Sequence, residues 1–377
     1  MSVRKTINAD LSMFLISITA LIIIGLIFIY SSSSVFALEK FGSAHYFVKK
    51  QCFGLILGLC ALMVARFLPL NIIKYMSPWF FMLSLALTAA TLLPYIGEHI
   101  HGSSRWLKIF GFGFQPSELI KISFILYLAY FLSKRIHRAS SFAHNFLPFL
   151  CILSITSGIL LLQPDFGLTV TLTLTACAML FVAEFQTRNL LYTLIALIPI
   201  AITLICWKAY RLKRILTFLN PWADPQGAGF QIIQSLIAIG SGRYSGVGIA
   251  HSRQKFFYLP MQHTDFIFSI IAEETGFIGS CFLILLLCIM LYFGYRIAWR
   301  MSDPFCVFAT FGFVTLMSLQ AVINLTVATG LAPTKGIGLP FVSYGNTALI
   351  CHLVMVGLIM NMVNDPSTKM QDDRKYR

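Results

Sequence analysis

Fourteen acidic residues in 377 leave few places for acid–base chemistry. Six of them, Glu118, Asp165, Asp224, Asp265, Glu273 and Glu274, fall at or below one edge of long apolar runs. A carboxylate near hydrocarbon is expensive, so each is a functional hypothesis by default. The sharpest is Asp265, in Pro260-Met261-Gln262-His263-Thr264-Asp265-Phe266, where the longest connection of the chain meets an apolar segment. Asp265 could act there as a general base, with His263 as a second proton-handling group. Equally, Thr264 or Asp265 could cap the helix that follows, accepting from its first free N–H groups. A helix N-terminus lowers an Asp pKa and burial raises it; residue types alone do not decide which prevails.

Glu273 and Glu274 follow about two turns deeper on the same expected helix, facing different directions at roughly 100° per residue. Buried carboxylates hydrogen-bonded to neighbouring helices are their structural reading. Gln115-Pro116-Ser117-Glu118-Leu119-Ile120-Lys121 opens another apolar segment with Pro at a first-turn position. Glu118 and Lys121, three apart, could form an ion pair with no further role. Alternatively, Glu118 holds Lys121 ready for a phosphate, with Arg105 flanking the same anionic site. Gly240-Ser241-Gly242-Arg243-Tyr244-Ser245-Gly246-Val247-Gly248 could approach a phosphate or sugar closely, or could be a flexible connection. The stretch Thr329 to Asn346, with Lys335 and Ser343, has two Pro and four Gly; it reads as a broken, re-entrant segment. Such backbone survives at membrane depth only when protein-buried or lining a wet cavity. Gln320 and Asn324 point toward the same place.

The elements that must position these groups are membrane helices. The chain is 58% hydrophobic and 11% charged, against roughly 25% charged for soluble domains. Apolar segments able to cross about 30 Å of hydrocarbon fall near 11–35, 46–66, 76–96, 117–133, 145–163, 166–184, 189–207, 266–294, 304–330 and 343–363. The expectation is an all-α polytopic protein of ten transmembrane helices forming one domain over 1–377. A long extracytoplasmic loop, 208–265, joins the seventh and eighth, and a tail covers 364–377. Within that loop Ile232–Ile239 reads as a short interfacial amphipathic helix. Leu11–Tyr30 lacks a following A-x-A-like site and reads as the first span.

Basic connections at 134–138 and 295–300 and a basic tail from Lys369 place both termini in the cytoplasm. The other side is basic too, through Lys40, Lys49, Lys50, Arg105, Lys108, Lys208, Arg211, Lys213 and Arg214. Topology does not ask for that charge. A formal net charge of +14 without aromatic-interleaved basic runs disfavours nucleic acid and suits anionic lipid or a phosphate-bearing substrate. Nine scattered cysteines without a CxxC read as packing residues.

Taken in order, these blocks resemble the SEDS family (shape, elongation, division and sporulation proteins). The resemblance rests on Ser104-Arg105-Trp106 with the Gln115–Lys121 block, Pro221-Trp222-Ala223-Asp224-Pro225, Ala238-Ile239-Gly240-Ser241-Gly242, and Leu259-Pro260 with His263-Thr264-Asp265-Phe266-Ile267-Phe268 and Glu273-Glu274. Pro333-Thr334-Lys335-Gly336 and Leu339-Pro340-Phe341-Val342-Ser343-Tyr344-Gly345 complete it. Pro221-Trp222 and Gln254-Lys255 with Tyr258-Leu259-Pro260 look more like the division members than the elongation members. Met261 stands where the family usually has Glu, and Asn346 where Gly is usual.

The resemblance implies a peptidoglycan glycosyltransferase that polymerises lipid II on the outer face of the cytoplasmic (inner) membrane, for septal wall synthesis in division. It implies Asp265 as the essential carboxylate and Arg105 and Lys121, with Glu118, as cations for the leaving diphosphate. Arg243, His263, Lys335 and Ser343 complete the expected substrate-binding set. Expected partners are lipid II and undecaprenyl diphosphate-linked glycan, a class B penicillin-binding protein (a transpeptidase), other division proteins and membrane lipid. No ligand cluster demands a metal, although a divalent cation (Mg or Mn) could share the leaving-group task. A lipid II flippase and a non-catalytic division scaffold are the rival readings.

Overall fold

The computed structural model describes residues 2–93, 97–100, 103–109, 112–135, 146–206, 209–254, 260 and 262–364. Each of the ten apolar segments coincides with a helix. These are α1 (Ser2–Phe41), α2 (Tyr46–Phe67), α3 (Leu70–Ala90), α4 (Pro116–Ser133), α5 (Leu147–Leu162), α6 (Phe166–Val182), α7 (Thr187–Cys206), α10 (Ile267–Trp299), α11 (Pro304–Ala328) and α12 (Asn346–Asn364). Seven of them are long and apolar enough to cross a membrane. An eighth span is possible if α7 from Leu191 and α8 (Ala209–Leu219), bent by 102°, are taken together, while α5 and α6 are shorter apolar helices. This is a multi-pass membrane protein.

Side-chain chemistry sets several helix starts. Asp165 caps α6 by accepting from the Leu168 N–H, and Asp303 caps α11 by accepting from that of Phe305. Pro116 and Pro304 occupy first-turn positions, where a missing N–H costs nothing. The core lies where α4, α11 and α12 are mostly surrounded by protein. The outer helices keep large apolar side chains such as Ile56, Met82 and Ile195 exposed, as a lipid-facing surface allows.

Two elements differ from expectation. Residues placed in an outer loop form a three-stranded antiparallel sheet, β1 (Gly97–Ile100), β2 (Ser103–Ile109) and β3 (Phe112–Phe114), in that order. In the long connection, α8 and a 3-10 turn at Pro221–Ala223 precede α9 (Phe230–Ser241). Helix α9 covers the Ile232–Ile239 stretch read as amphipathic: Ile232, Ile233, Ser235 and Ala238 are buried, while Leu236 and Ile237 are exposed.

The decisive feature is the course of α10. Its backbone breaks at Gly276, with φ 67° and ψ −162°, a region open essentially to glycine. Beyond the break α10 runs antiparallel to α11, since Tyr295 reaches Thr315 and Ser318 while Trp299 meets Phe311. Before the break it runs the other way. Asn324 bonds the Asp265 carbonyl, and Ser269, four residues on, shares the Ser235 hydroxyl with the carbonyl of Ala328. Glu273 and Glu274 therefore lie further toward the end of α11 than Asp265 does, which corrects the expectation that they are deeper. Linear helix geometry missed this because it carried the count of residues straight through Gly276.

Candidate active site

The segment after α11 turns at Gly330 (φ 70°) and folds back along the helix it has just left. The Asn324 carboxamide donates to the carbonyls of both Asp265 and Ile337, at 2.8 Å each. Two irregular segments, 262–266 and 329–345, are thereby pinned side by side below the end of α11. Their backbones are stitched further along: Tyr344 N–H donates to the His263 carbonyl at 2.9 Å. The Ser343 hydroxyl donates to the Thr264 carbonyl at 2.6 Å and accepts from Leu339 N–H at 2.7 Å. From α2, Gln51 bonds the Ser343 carbonyl and the Gly345 N–H, and Gln262 donates to the Ser32 carbonyl on α1. The broken segment is re-entrant, as its Pro and Gly content predicts, and from Leu339 to Gly345 much of its polar backbone is satisfied by protein.

This stitching leaves Asp265 half-buried in the turn before α10. Neither reading of it as a cap holds. The N-cap position is Phe266, without a side-chain cap, and the Asp265 carboxylate accepts no hydrogen bond among the described residues. Gly336 lies against it; a Cβ there would come within 3.2 Å of Oδ2. Burial raises the Asp265 pKa from its ordinary 3.8 to about 6, opposed in part by the nearby Arg214 guanidinium. Burial thus prevails over the helix terminus, and the group titrates where a base working near neutral pH must.

Next to Gly336, Lys335 is half-buried with its ammonium 3.9 Å from the centre of the Phe166 ring. Its pKa falls to about 8, first through burial and then through Arg214 and Arg211, with Asp165 opposing. Arg214 donates to the Thr334 carbonyl at 3.2 Å, and the Arg211 guanidinium lies 5.6 Å from the Phe166 ring centre. Sequence reasoning counted Arg211 and Arg214 among the surplus outer charges without assigning them to the site. The approach of Arg214 to Asp265, and of Arg211 to Phe166, depends on the bend between α7 and α8, for which residue spacing gives no signal.

The other expected site residues occupy different positions. Lys121 and Glu118 pair at 2.6 Å with side chains 8% and 9% exposed, inside the bundle. On α12, His352 Nε2 meets the Gln320 carboxamide at 2.9 Å. Gln320 therefore serves α12, and Asn324 alone of the two reaches the re-entrant segment. The structure brings Arg214, rather than Lys121, within electrostatic reach of Asp265. Arg105 belongs to β2; its side chain lies outside the described residues, as does Met261.

His263 packs its ring against Phe47, with centroids 4.5 Å apart, and beside Phe36 and Tyr344. Burial pushes its pKa down to about 4, so it is a neutral packing group at physiological pH. The Ser343 hydroxyl is occupied by its two backbone bonds. Arg243 is exposed beside the Gly276 break, where its carbonyl accepts from Phe277 N–H. The Gly-rich loop packs on that break: Val247 and Gly248 N–H groups donate to the carbonyls of Glu273 and Glu274. It therefore buttresses a helix bend, and Arg243 sits about three turns along α10 from Asp265.

Glu273 and Glu274 are buried and hydrogen-bonded, but chiefly to this loop. Glu273 accepts from the Ser252 hydroxyl and from Arg253 N–H at 2.9 Å. Glu274 accepts from the Ser31 hydroxyl of α1 at 2.6 Å and from Ala250 N–H at 3.0 Å. Asp224 caps its turn through Ala228 N–H, 3.0 Å away, which with Lys213 holds its carboxyl below the usual range. At the opposite end of the bundle Asp10 pairs with Arg300 and Arg296, and Lys74 with Asp303. Among the described residues no three His, Cys, Asp or Glu side chains converge as metal ligands.

Comparison with known proteins agrees with this architecture. The cell cycle protein family model for FtsW, RodA and SpoVE matches residues 11–367. A probable peptidoglycan glycosyltransferase FtsW from Geobacter sp. (strain M18) is 40% identical over 347 residues, covering 92% of this chain and 94% of the relative. Stage V sporulation protein E of Bacillus subtilis (strain 168) is 38% identical over 362 residues, covering 96% and 98%. Among solved structures, a chain from "Structural coordination of polymerization and crosslinking by a peptidoglycan synthase complex" superposes with a TM-score of 0.77 at 30% identity, covering 93% and 97%. The rod shape determining protein RodA of Thermus thermophilus gives 0.68 at 25% identity, covering 93% and 96%. With a match from residue 11 to residue 367, this chain belongs to the FtsW, RodA and SpoVE family of cell cycle proteins, the SEDS family.

Proposed function

We infer that this chain is a peptidoglycan glycosyltransferase in which Asp265 is the catalytic base. The observation that supports this role is the state of its carboxylate. Of the six carboxylates at issue, Glu118, Asp165, Asp224, Glu273 and Glu274 are committed to caps, ion pairs or loop backbone. Asp265 alone has no hydrogen-bond or ion-pair partner among the described residues, and its Oδ2 lies against Gly336, where an added Cβ would come within 3.2 Å.

In the proposed step, Asp265 takes the proton from the GlcNAc 4-hydroxyl of an acceptor lipid II. That oxygen bonds to the anomeric carbon of the donor MurNAc, and the bond from that carbon to the diphosphate oxygen breaks. The bonding electron pair leaves with undecaprenyl diphosphate. One displacement inverts the anomeric centre from α to β. Positive charge aimed at the departing diphosphate is the main electrostatic task, and Lys335 is placed to supply it. A divalent cation (Mg or Mn) bound there would draw most of its ligands from the diphosphate and would add charge neutralisation.

The end of the bundle bearing Asp265 faces outward across the inner membrane in this proposal, with both termini cytoplasmic and septal wall synthesis as the task. A class B penicillin-binding protein is the proposed crosslinking partner, supported by the likeness to a chain of a peptidoglycan synthase complex. The flippase reading needs available ionisable groups along a path. Here Glu118 and Lys121 inside the bundle and Asp10 and Asp303 at its other end are paired. Asp265, Lys335, Arg211 and Arg214, which have no ion-pair partner among the described residues, gather at one end. Gel analysis of products from labelled lipid II, with and without the transpeptidase, tests the assignment. Wild-type protein should make strands without moving lipid across vesicles. Asp265→Asn should lose about 10²–10⁴-fold in rate; a variant polymerising at the parent rate removes Asp265 from the role.

A further inference from the structure

Three cations surround one ring and one carbonyl near the site. Lys335 and Arg211 lie on Phe166, and Arg214 bonds the carbonyl of Thr334, the residue before Lys335. None of the three has a carboxylate oxygen within 4 Å among the described residues. Lys213, between the two arginines, differs: it pairs with Asp224 at 3.6 Å. Asp165 and Asp265 offset the charge of the other three only from beyond ion-pair distance, so an anionic ligand among these three cations relieves their mutual repulsion. Beside them opens a cavity of about 480 Å³ whose lining includes Lys213, Arg214, Thr217, Gln231 and Thr334. Helix α8, which carries the cations, also exposes Leu212, Leu216 and Leu219. A helix with such a split surface sits at the level of lipid headgroups.

We propose that the cleft between α8, the 224–231 turn and Thr334 binds the diphosphate of the polyprenyl-linked donor, with Arg214 as its principal ligand and Arg211 flanking it from the Phe166 ring. The assignment rests on the glycosyl-transfer reading and deepens it: the leaving group is held by α8 and Lys335. A guanidinium presents paired donors that match phosphate oxygens, and its charge persists where a buried lysine's weakens. The cleft adds neutral polar groups, Thr217 and Gln231, for the remaining oxygens. Arg214 also stands within electrostatic reach of the Asp265 carboxylate, so one side chain joins base and leaving group.

The test uses the full chain in phosphatidylcholine nanodiscs, with undecaprenyl diphosphate as probe and inorganic pyrophosphate as competitor. Arg214→Gln should weaken lipid diphosphate binding about ten- to a hundredfold, and Arg214→Lys should recover part of the loss. Lys49→Gln, at an exposed position on α2 outside the lining of the cleft, should change binding by less than about threefold. Pyrophosphate should compete, because the headgroup is what the cleft reads. Parent-level binding by both Arg214→Gln and Arg211→Gln overturns the proposal. So does a site that ignores pyrophosphate, or one that phosphatidylglycerol vesicles fill equally well, since the patch is then a membrane anchor. Asp265→Asn separates the two readings: it should stop turnover while still binding the diphosphate. If Asp265→Asn polymerises normally, the catalytic assignment fails and the binding result stands by itself.

Discussion

Asn324 and Asp265 are joined by one hydrogen bond of 2.8 Å, from the carboxamide to the backbone carbonyl, and the same nitrogen holds the carbonyl of Ile337. The proposed base is thus positioned through its main chain while its side chain stays available. Removing the amide orphans two carbonyls, each a loss of about 1–3 kcal/mol where water cannot enter. Asn324→Leu, similar in size, should lower stability by that order and reduce kcat far more than substrate affinity. Thermal unfolding and steady-state polymerisation on one preparation check this. An unchanged kcat would falsify the positioning role.

The pH profile of polymerisation follows from two displaced groups. Asp265 must be ionised to accept a proton, so activity should rise through pH 6, the value to which burial lifts it. Lys335 must stay charged to face a diphosphate, so activity should fall through about pH 8, where burial and its arginine neighbours bring it. A bell between these limits is expected. Lys335→Arg should extend the alkaline side; an unmoved alkaline limb would exclude Lys335 as its source.

The same raised value predicts a stability effect. A carboxyl whose folded pKa exceeds its unfolded value of 3.8 favours the fold while protonated. That contribution is complete below the unfolded pKa and is lost as pH rises through about 6. Asp265→Asn should therefore melt higher than the parent at pH 7.5, and the gap should close below about pH 4. Equal melting at both pH values would mean the carboxylate carries no burial strain.

Glu274 ties the Gly-rich loop to α1 and α10 through the Ala250 N–H and the Ser31 hydroxyl. Glu274→Gln keeps the size but replaces one acceptor oxygen with a donor facing groups that also donate. Destabilisation of about 1–3 kcal/mol is expected, with faster proteolysis between residues 243 and 253. Ser31→Ala should produce a milder form of the same change. Proteolysis at the parent rate in both variants would show that the loop is held by its backbone contacts on Gly276.

The sequence was legible where chemistry is local and opaque where chain direction decides. Ten apolar runs predict ten helices, because burial in lipid needs only composition and length. Asp265, Lys335 and the re-entrant Pro/Gly segment stood out by residue type. Glu273 and Glu274 were placed on the wrong side of Asp265 because the left-handed break at Gly276 reverses the helix, and a lone glycine in an apolar run does not announce that. Arg211 and Arg214 were visible only as surplus charge. The sheet at 97–114 was missed because its strands are short and lack clean alternation.

The buried pair of Glu118 and Lys121 tests what the fourth helix contributes. With side chains under a tenth exposed and 2.6 Å apart, each neutralises the other inside the bundle. Truncating one leaves an uncompensated buried charge, and Lys121→Met should cost about 3–5 kcal/mol. Replacing both, as Glu118→Gln with Lys121→Met, should recover most of that stability, since well-packed neutral residues of similar volume are often tolerated. Unfolding of the two single variants and the double, in one detergent, measures the coupling. Undecaprenyl diphosphate affinity of the recovered double variant then assigns the pair: weaker binding gives Lys121 a part in holding substrate, and unchanged binding confines it to fixing α4 against α12.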